Sequence, residues 1–436
     1  MEVRIENIVS RGNLERAYSQ VVGNKGSSGV DEMEVEELKS HLKEFWQDYK
    51  KQLLTGTYNP SLIRRVSIGK PGGGLRHLGI PTVLDRMIQH SISQELVKYY
   101  DTGFSANSYG FRPGRNAHQA LEQSLSYVNE GYEYLVSIDL SKFFDRVHHD
   151  RLMSRLSKDI TDKEVLRLIR RYLQSGIMIE GVVHQLREGT PQGGNLSPIL
   201  SNIVLDELDK ELEGRRHKFV RYADDISIYV KSRRAGERVL KSVSNWIEKV
   251  LRLKVNTEKS GVYHCTKGGL LGYGFYKNSE GYVHRVLPKS LKRFKAKLRK
   301  VTSRRWSMSF DERVEKERQI IQGWINYYGL AKCKSHMKEI DKWLRRRFRQ
   351  CIWKTWKLVR TRMRNLIKLG IPKKYAYKWA NTRKGYWAIS KSPILTRSIP
   401  NKLLDSRGYR SLVSYYEYRH SDLMNRRDTR TVRPVV

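Results

Sequence analysis

The sequence has few cysteines and no long apolar run. Its three cysteines, Cys265, Cys333 and Cys351, are too few and too widely spaced for a disulfide framework or a zinc site built on cysteine pairs. We interpret them as packing residues. No stretch of about 18 apolar residues occurs, and the start, MEVRIENIVSRG, does not resemble a signal peptide. We therefore expect a soluble, intracellular protein of a reducing compartment.

Acidic residues are scarce relative to basic ones. The chain has 84 lysines and arginines against 45 aspartates and glutamates, a net charge of +39 at pH 7. Such an excess repels itself in the folded state unless a polyanion supplies the counter-charge, so nucleic acid is the expected partner. An anionic membrane surface is the competing partner, but no basic amphipathic anchor stands apart from the rest of the chain. We therefore expect binding to nucleic acid and no membrane association.

Composition divides the chain into four parts. Residues 1–60 show helical spacing of apolar residues on either side of a turn-rich segment. Residues 61–285 mix short strands with helices. In residues 286–370 glycine and proline almost vanish, and a basic amphipathic periodicity predicts helices. Residues 371–436 are aromatic, basic and more irregular, and their architecture stays open.

The segment FVRYADDISIYV, residues 219–230, places two acidic residues side by side between two runs that alternate in polarity. This alternation predicts a β-hairpin with Asp224 and Asp225 at its tip. Because aspartate is a favoured turn residue, an isolated pair would need no further explanation.

A third carboxylate favours a metal site. Asp139 closes the hydrophobic strand predicted within YEYLVSIDLSKFFDRV, residues 132–147, and a carboxylate at the end of a buried strand is costly unless a cation compensates it. Three carboxylates that converge from two strand ends favour hard divalent cations, Mg²⁺ above all. Two such ions about 4 Å apart can activate a hydroxyl and stabilise a leaving phosphate oxygen. The hypothesis is a two-magnesium site for phosphoryl transfer, with Mn²⁺ able to substitute.

Further segments follow in order along the chain. They are VSIGKPGGGLRHLGIPTVLDRMIQ (66–89), SYGFRPGR (108–115), IDLSKFFDRV (138–147), GTPQGGNLSPILSNI (189–203), YADD (222–225), LKVNTEKSGV (253–262), LLGYGF (270–275) and GWINYYG (323–329). Together they resemble reverse transcriptases of the group II intron-encoded, or maturase, branch. The resemblance covers nearly the whole chain, and its specificity lies in the ordered combination.

The resemblance implies an α+β fold, a right-hand polymerase with fingers and palm of antiparallel sheet plus helices and an α-helical thumb. Residues 1–60 would be an N-terminal helical extension and RNA-binding part of the fingers, and residues 61–285 the fingers and palm. Residues 286–370 would be the thumb, or maturase domain. Residues 371–436 would be a short basic nucleic-acid-binding region.

The resemblance also implies roles for residues around an incoming nucleotide. The catalytic residues would be the three aspartates, and the metal ligands would be Asp139, Leu140, Asp224 and Asp225. The contacts of the dNTP would be Lys70, Arg76, Phe143, Phe144, Gln192 and Lys259. The glycine-rich turn between Lys70 and Arg76 also fits a plain hairpin with solvated charges, and Lys259 also fits an ordinary exposed lysine. Phe144 lies where these polymerases place the aromatic ring that excludes a 2′-OH, and a swap of roles with Phe143 stays open.

On the template and primer side, the implied residues are Tyr109, Arg112, Arg115, Gly272 and Tyr273. SYGFRPGR interleaves rings and guanidinium groups, which suits a grip on nucleic acid and equally suits a packed loop. The glycines of LLGYGF resemble a primer grip, where backbone reaches a primer strand. In residues 338–357, apolar residues at helical spacing are surrounded by arginines, Arg345, Arg346, Arg347 and Arg349. We expect this basic surface to bind duplex or structured RNA, with a merely solvated face as the alternative.

The implied function is that of an RNA-directed DNA polymerase, a nucleotidyltransferase that also binds a group II intron RNA to promote splicing and mobility. Its partners would be an RNA template, a DNA or RNA primer, dNTPs, intron RNA and target DNA. Because no cysteine and histidine cluster of the HNH endonuclease type is seen, we expect an endonuclease-lacking, class C-like bacterial form. An RNA-binding splicing factor without an active polymerase, and a domesticated reverse transcriptase of DNA repair or phage defence, remain alternatives. The sequence sets no oligomeric state, and a dimer is compatible with it.

Overall fold

The computed structural model describes residues 2–69, 73–179, 182–184, 188–189 and 193–431, with side-chain detail to residue 425. The chain divides into two compact units, Met1–His264 and Cys265–Val436. The helices of the first unit are α1 (Ile5–Ile8), α2 (Arg11–Gly23), α3 (Leu38–Leu54), α4 (Val83–Tyr100), α5 (Ala117–Asn129), α6 (His149–Leu156), α7 (Lys163–Gln174), α8 (Ser197–Gly214) and α9 (Arg233–Trp246). A π-helical turn, Ile247–Leu251, extends α9, and short 3₁₀ turns lie at Asp101–Gly103 and Phe143–Asp145.

Strands of the first unit form two four-stranded sheets. They are β1 (Ile63–Gly69), β2 (Leu75–Ile80), β3 (Tyr134–Ile138), β4 (Ile177–Ile179), β5 (Val182–His184), β6 (Lys218–Tyr222), β7 (Asp225–Val230) and β8 (Gly261–His264). One sheet has the order β2-β1-β4-β5, in which the β1–β4 pair is parallel. The other has the order β6-β7-β3-β8 and is antiparallel throughout.

The centre of the second sheet is buried because its two central strands are mostly apolar. Leu135, Val136 and Ile138 of β3 are buried, as is every residue of β7 after the first. Helix α9 packs on β3 and β8, whereas α5 and α8 pack on β6. Strand β3 ends, and the β6–β7 hairpin turns, at the same end of this buried sheet.

Local signals explain where several helices begin. Helix α4 starts after Thr82, whose hydroxyl accepts a hydrogen bond from the N–H of Asp85. Asp162 caps α7 in the same way. Helix α8 carries Pro198 in its first turn, where proline is favoured because the missing N–H would have no partner.

The second unit pairs a β-hairpin with a set of helices. Its strands are β9 (Tyr273–Asn278) and β10 (Gly281–Val286). Its helices are α10 (Pro288–Val301), α11 (Phe310–Tyr328), α12 (Lys334–Thr355), α13 (Val359–Lys368), α14 (Lys373–Ala380), α15 (Tyr386–Ile389), α16 (Pro393–Ser398), α17 (Asn401–Ser406) and α18 (Leu412–Thr431). The helices predicted within residues 286–370 are confirmed, and residues 371–431, for which no architecture was predicted, are largely helical as well.

The predicted α+β class is confirmed. All three cysteines are buried, in agreement with a packing role. None of the helices in the described part of the chain combines the length and apolarity that a membrane span requires. The division into four domains drawn from the sequence stays a prediction.

Candidate active site

The strand register brings the predicted carboxylates to one edge of the β6-β7-β3-β8 sheet. Ile138, the last residue of β3, pairs with Ile226 of β7. The next residue along, Asp139, therefore falls opposite Asp225, and the side chains of directly opposed residues share one face of a sheet. Strand β6 pairs Tyr222 with the same Asp225, which leaves a two-residue turn at the tip of the hairpin. The predicted hairpin is confirmed, with Asp225 as the first residue of its second strand.

Electrostatics shows that the three carboxylates act on one another. Burial, followed by repulsion from Asp224 and Asp139, raises the pKa of Asp225 to about 6. The Asp225 side chain reaches solvent, but the protein atoms beside it remove part of its hydration. This loss makes the charged form less favourable than it is in a fully solvated aspartate. Burial and the charge of Asp139 also raise the pKa of Asp224, whereas Arg76 and Lys259 act in the opposite direction. Burial and the neighbouring carboxylates therefore both make the charged forms of Asp224 and Asp225 less favourable, despite the cations Arg76 and Lys259.

The loop before β8 holds the third carboxylate in place. The N–H of Asp139 donates to the hydroxyl of Ser260 over 3.0 Å, and the N–H of Asn256 donates to the carbonyl of Asp139 over 2.8 Å. Lys259 places its Nζ 3.5 Å from an Asp139 carboxylate oxygen while its side chain stays 68% exposed. Leu140, predicted as a further ligand, is buried and forms a β-bridge with Val255. Lys259 is thus next to the carboxylates and still accessible to a triphosphate.

The residues predicted to contact the nucleotide differ in their exposure to solvent. Phe143 is 2% exposed and belongs to the core, whereas Phe144 is half-buried and packs against the core, with the two ring centroids 5.2 Å apart. Arg76 lies exposed on β2, near enough to lower the pKa of Asp224. Lys70 and Gln192 lie outside the described residues. The structure therefore favours Phe144 over its neighbour as the wall beside a nucleotide sugar.

The template-side residues are mostly committed to the protein itself. Arg112 is buried and donates to the Asp101 carboxylate and to the backbone carbonyls of Asp101, Ser105 and Ser108. Tyr109 is buried with the guanidinium of Arg115 over its ring, 5.3 Å from the centroid. This arrangement favours the packed-loop alternative for these residues. Phe111 of the same segment, 51% exposed, keeps a ring face open to solvent.

The predicted primer-grip residues belong to the second unit. Gly272 has φ +86°, a left-handed conformation that favours glycine, and a Cβ there would lie 2.5 Å from the hydroxyl oxygen of Tyr328. The side chain of Tyr273 is fully buried and donates a hydrogen bond to the carbonyl of Tyr327. Any contact of this segment with a primer would therefore come from its backbone.

The basic face predicted on α12 differs from the expectation. Its arginines bond to protein oxygens, Arg345 to Asp341, Arg346 to the carbonyl of Trp387, Arg347 to Thr302, and Arg349 to the carbonyl of Ile399. Arg345 and Arg349 are buried, so for these two the prediction of a nucleic-acid-binding or solvated face is wrong. A buried guanidinium needs carboxylate or carbonyl partners. The bonds of Arg347 and Arg349 connect α12 to neighbouring segments of its own unit.

Two residues that the sequence analysis did not select contact the turn itself. A Cβ on Gly110 would lie 2.3 Å from the backbone N of Ala223, so the SYGFRPGR segment runs directly against the turn. Arg221 is fully buried below it and paired with Asp209. In the sequence, Arg221 could have been noticed because it occupies a position of β6 at which the alternation predicts an apolar residue.

The chemistry of the carboxylates suits magnesium. Within the described residues no group of three carboxylate, imidazole or thiol side chains is spaced to hold a metal ion unaided. Mg²⁺ retains several waters and is usually bound by one or two carboxylates together with substrate phosphates. Burial, and to a lesser extent the charge of Asp139, raises the pKa of both Asp224 and Asp225, so a bound cation would stabilise their charged forms. The three aspartates therefore fit the protein side of a metal site that a substrate triphosphate would complete.

Comparison with known proteins agrees with this geometry. A family model described as reverse transcriptase (RNA-dependent DNA polymerase) matches residues 68–279, and one described as group II intron, maturase-specific domain matches residues 291–370. Protein YkfC of Escherichia coli (strain K12) is 30% identical over 62% of this chain and 81% of its own length. This chain belongs to the group II intron reverse transcriptase and maturase family. The resemblance inferred from the sequence motifs is thereby confirmed.

Other members of this family extend well beyond the matched region. The group II intron-encoded protein LtrA of Lactococcus lactis subsp. cremoris is 34% identical over 47% of this chain, but the match covers only 34% of LtrA. Among solved structures, a chain of the partial Cas6-RT-Cas1–Cas2 complex is 25% identical with a TM-score of 0.36, covering 56% of this chain and 42% of that chain.

Proposed function

We propose that this chain is an RNA-directed DNA polymerase that extends a primer 3′-OH with dNTPs on an RNA template, and that it also acts as a group II intron maturase. The observation that carries the polymerase proposal is the strand register that sets Asp139 opposite Asp225, at the turn that carries Asp224. Membership of the family supports the same proposal.

In this proposal the aspartates hold two Mg²⁺ ions, with Asp139 and Asp224 as the main ligands, Asp225 in support and Leu140 contributing its backbone carbonyl. Bound Mg²⁺ would activate the primer hydroxyl and stabilise the charge that develops on the transferred phosphate. The protein's own contribution is positioning and electrostatics.

Cationic and aromatic side chains would orient the nucleotide. Arg76 and Lys259 already act on the charges of the aspartates, and with Lys70 they would neutralise a triphosphate. Phe144 would stand beside the sugar and exclude a 2′-OH, and Gln192 would contact the nucleotide. The exposure of Lys259 and the partial exposure of Phe144 support these roles.

The maturase part of the proposal rests on the match of residues 291–370 to the maturase-specific domain. The partners would be an RNA template, a DNA or RNA primer, a group II intron RNA and a target DNA. The division into fingers, palm, thumb and basic tail belongs to the same proposal. So do an endonuclease-lacking, class C-like organisation and a location in the bacterial cytosol.

Primer extension tests the polymerase proposal. Purified protein should synthesise cDNA from a DNA primer annealed to an RNA template only when Mg²⁺ or Mn²⁺ is present. Asp224→Asn should lower the rate roughly a thousandfold, because the reacting phosphate loses electrostatic stabilisation. Glu258→Gln is the matched control, since it removes one exposed carboxylate next to Lys259 without touching a predicted ligand. If the wild-type protein binds RNA but makes no cDNA, an RNA-binding splicing factor is the correct reading.

A further inference from the structure

A buried arginine lies directly below the turn that carries Asp224. Arg221 of β6 has no exposed side-chain surface, and neither has its partner Asp209 of α8. Nε of Arg221 lies 2.7 Å and 3.0 Å from the two carboxylate oxygens of Asp209, and Nη2 lies 2.5 Å from Oδ2. Because an isolated guanidinium would be very unfavourable in this environment, the pair with Asp209 is what allows the arginine to be there.

The remaining nitrogen of this guanidinium acts on the turn. Nη1 of Arg221 donates to the backbone carbonyl of Ala223 over 3.0 Å and to Oδ1 of Asn202 over 2.9 Å. Asn202, itself fully buried, donates from Nδ2 to the carbonyl of Gly110 over 3.0 Å. One connected set of hydrogen bonds thus runs from α8 through Arg221 to the turn and to the SYGFRPGR segment.

The backbone of β6 ties the same segment to the turn from the side. The N–H of Arg221 donates to the carbonyl of Asn107, and the N–H of Tyr109 donates to the carbonyl of Arg221, both over 2.9 Å. Gly110 then lies so close to Ala223 that a Cβ on the glycine would lie 2.3 Å from the alanine nitrogen. The turn is therefore held from below and from one side by groups that cannot move independently.

This support opposes two forces that would distort the turn. Ala223 has φ +56°, a left-handed conformation that an alanine adopts only under constraint. The like charges of Asp139, Asp224 and Asp225 also repel one another, and in a metal-free protein this repulsion favours a more open arrangement. A rigid, fully hydrogen-bonded anchor keeps ligands in place before a cation binds, which is the general basis of preorganised sites.

We propose that Arg221, with Asn202 and Asp209, is a positioning residue for the metal-binding carboxylates: it fixes the Ala223–Asp224 turn so that Asp224 faces Asp139 before metal binds. The inference rests on the proposed polymerase function, which it deepens. None of the three residues touches substrate in this role, since all are buried below the turn.

The test compares the dependence on metal in variants that keep a cation beside Asp209. Asn202→Ala keeps the Arg221–Asp209 pair but removes the link to Gly110. Arg221→Lys keeps a cation beside Asp209 but removes the bond to the Ala223 carbonyl. For both, we expect the half-saturating Mg²⁺ concentration in primer extension to rise at least fivefold and kcat to fall at least tenfold. The KM for dNTP at saturating Mg²⁺ and the Kd for primer–template should stay within twofold of wild type.

The matched control is Ser124→Ala, which removes the buried hydrogen bond between α5 and the hydroxyl of Tyr229 on β7, beyond the turn. It loosens the same hairpin without touching the Ala223–Asp224 turn, so the Mg²⁺ dependence should not change. If Asn202→Ala and Arg221→Lys shift the half-saturating Mg²⁺ concentration no more than this control, or lose activity only in proportion to unfolded protein, the network is structural and the proposal is wrong.

A readout without catalysis separates this inference from the polymerase proposal. The binding of Mn²⁺ is measured with a chain-terminated primer–template and dNTP present to complete the site, and is corrected for Mn²⁺ bound by dNTP alone. Followed by the loss of the electron paramagnetic resonance signal of the free ion, it should weaken at least fivefold in Asn202→Ala and Arg221→Lys and not in Ser124→Ala. Absence of cDNA from the wild-type protein would overturn the polymerase function, whereas equal Mn²⁺ affinity in wild type and variants would overturn the positioning role.

Discussion

At the scale of single residues, the turn between β6 and β7 concentrates the chemistry of the site. Asp225 carries the clearest sign of this, because burial and its two acidic neighbours raise its pKa to about 6, from a usual value of 3.8. A raised pKa of a carboxyl group means that the folded protein binds a proton more tightly than the unfolded chain does. The associated stability is fully present below a pH of about 4 and is lost as the pH rises through about 6.

Asp225→Asn should therefore stabilise the metal-free protein at pH 7.5, because it removes a carboxylate that the fold disfavours in its charged form. After solvent screening is allowed for, we expect at most about 1 kcal/mol, or roughly 2 °C in Tm. At pH 4.5 the difference should shrink toward zero. Thermal melting in the presence of a chelator at both pH values measures this, with Glu258→Gln as the control. A lower Tm for Asp225→Asn at pH 7.5 would contradict the predicted sign.

Substitution of the two adjacent phenylalanines should have two different effects, one on discrimination between nucleotides and one on stability. Phe144→Ala should lower the discrimination against ribonucleotides by roughly tenfold or more, because the wall beside the sugar is lost. Phe143→Ala should instead destabilise the fold by about 3–5 kcal/mol through a core cavity. Incorporation of ATP against dATP, together with chemical denaturation, measures both effects. The assignment fails if discrimination falls in Phe143→Ala and stays intact in Phe144→Ala.

At the scale of elements, polar anchors decide how helices and strands meet. Asp85 of α4 is buried and accepts hydrogen bonds from the hydroxyls of Tyr58, Tyr172 and Thr82 and from the N–H of Ser61, at 2.8 to 3.0 Å. These donors come from the segment before β1, from α7 and from the cap of α4 itself. One carboxylate therefore fixes the approach to β1, which pairs with the strand that carries Arg76.

Asp85→Asn should weaken this junction, because an amide offers one oxygen where the carboxylate offers two, and its NH₂ group then faces donors. Leaving buried donors unsatisfied predicts a loss of roughly 2–3 kcal/mol in the free energy of unfolding. Urea denaturation measures the loss. Asp48→Asn, an exposed carboxylate of α3, serves as the control and should stay within about 0.5 kcal/mol of wild type. Equal stability of the two variants would show that Asp85 does not anchor the junction.

At the scale of the whole molecule, we expect the net charge of +39 to dominate the binding of nucleic acid. Buried arginines such as Arg345 and Arg349 contribute to this charge but are occupied with protein oxygens. Phosphate contacts must therefore come from the exposed lysines and arginines that remain. Because such contacts release counterions, affinity should depend steeply on salt.

Binding to an RNA–DNA primer–template should weaken roughly a hundredfold between 50 and 200 mM KCl if about four phosphates are neutralised. Fluorescence anisotropy with a labelled primer across this range measures the slope of log Kd against log salt. The slope should be the same for unrelated template sequences, since phosphate contacts carry no sequence information. A Kd that does not change with salt would show that charge does not dominate binding.

The sequence by itself determined the family and those elements that have strong local signals. Alternation around Asp224 and Asp225, the apolar strand that ends at Asp139, and the helical periodicity of residues 286–370 are local signals, and local backbone preferences produce them without reference to the rest of the fold. The ordered motifs then identified the reverse transcriptase and maturase family.

Tertiary structure alone decided which polar residues face solvent and which hold the protein together. The sequence could not distinguish Phe143 from Phe144, could not show that Arg112 is an interior residue, and marked Arg221 only as a charged residue at an apolar position of β6, without its partners. Each of these depends on partners distant along the chain, as with Asp209 for Arg221, or Ser105 and Asp101 for Arg112. A guanidinium or an aromatic ring fits a ligand site and a packed interior equally well, and only the position of the neighbouring segments selects between them.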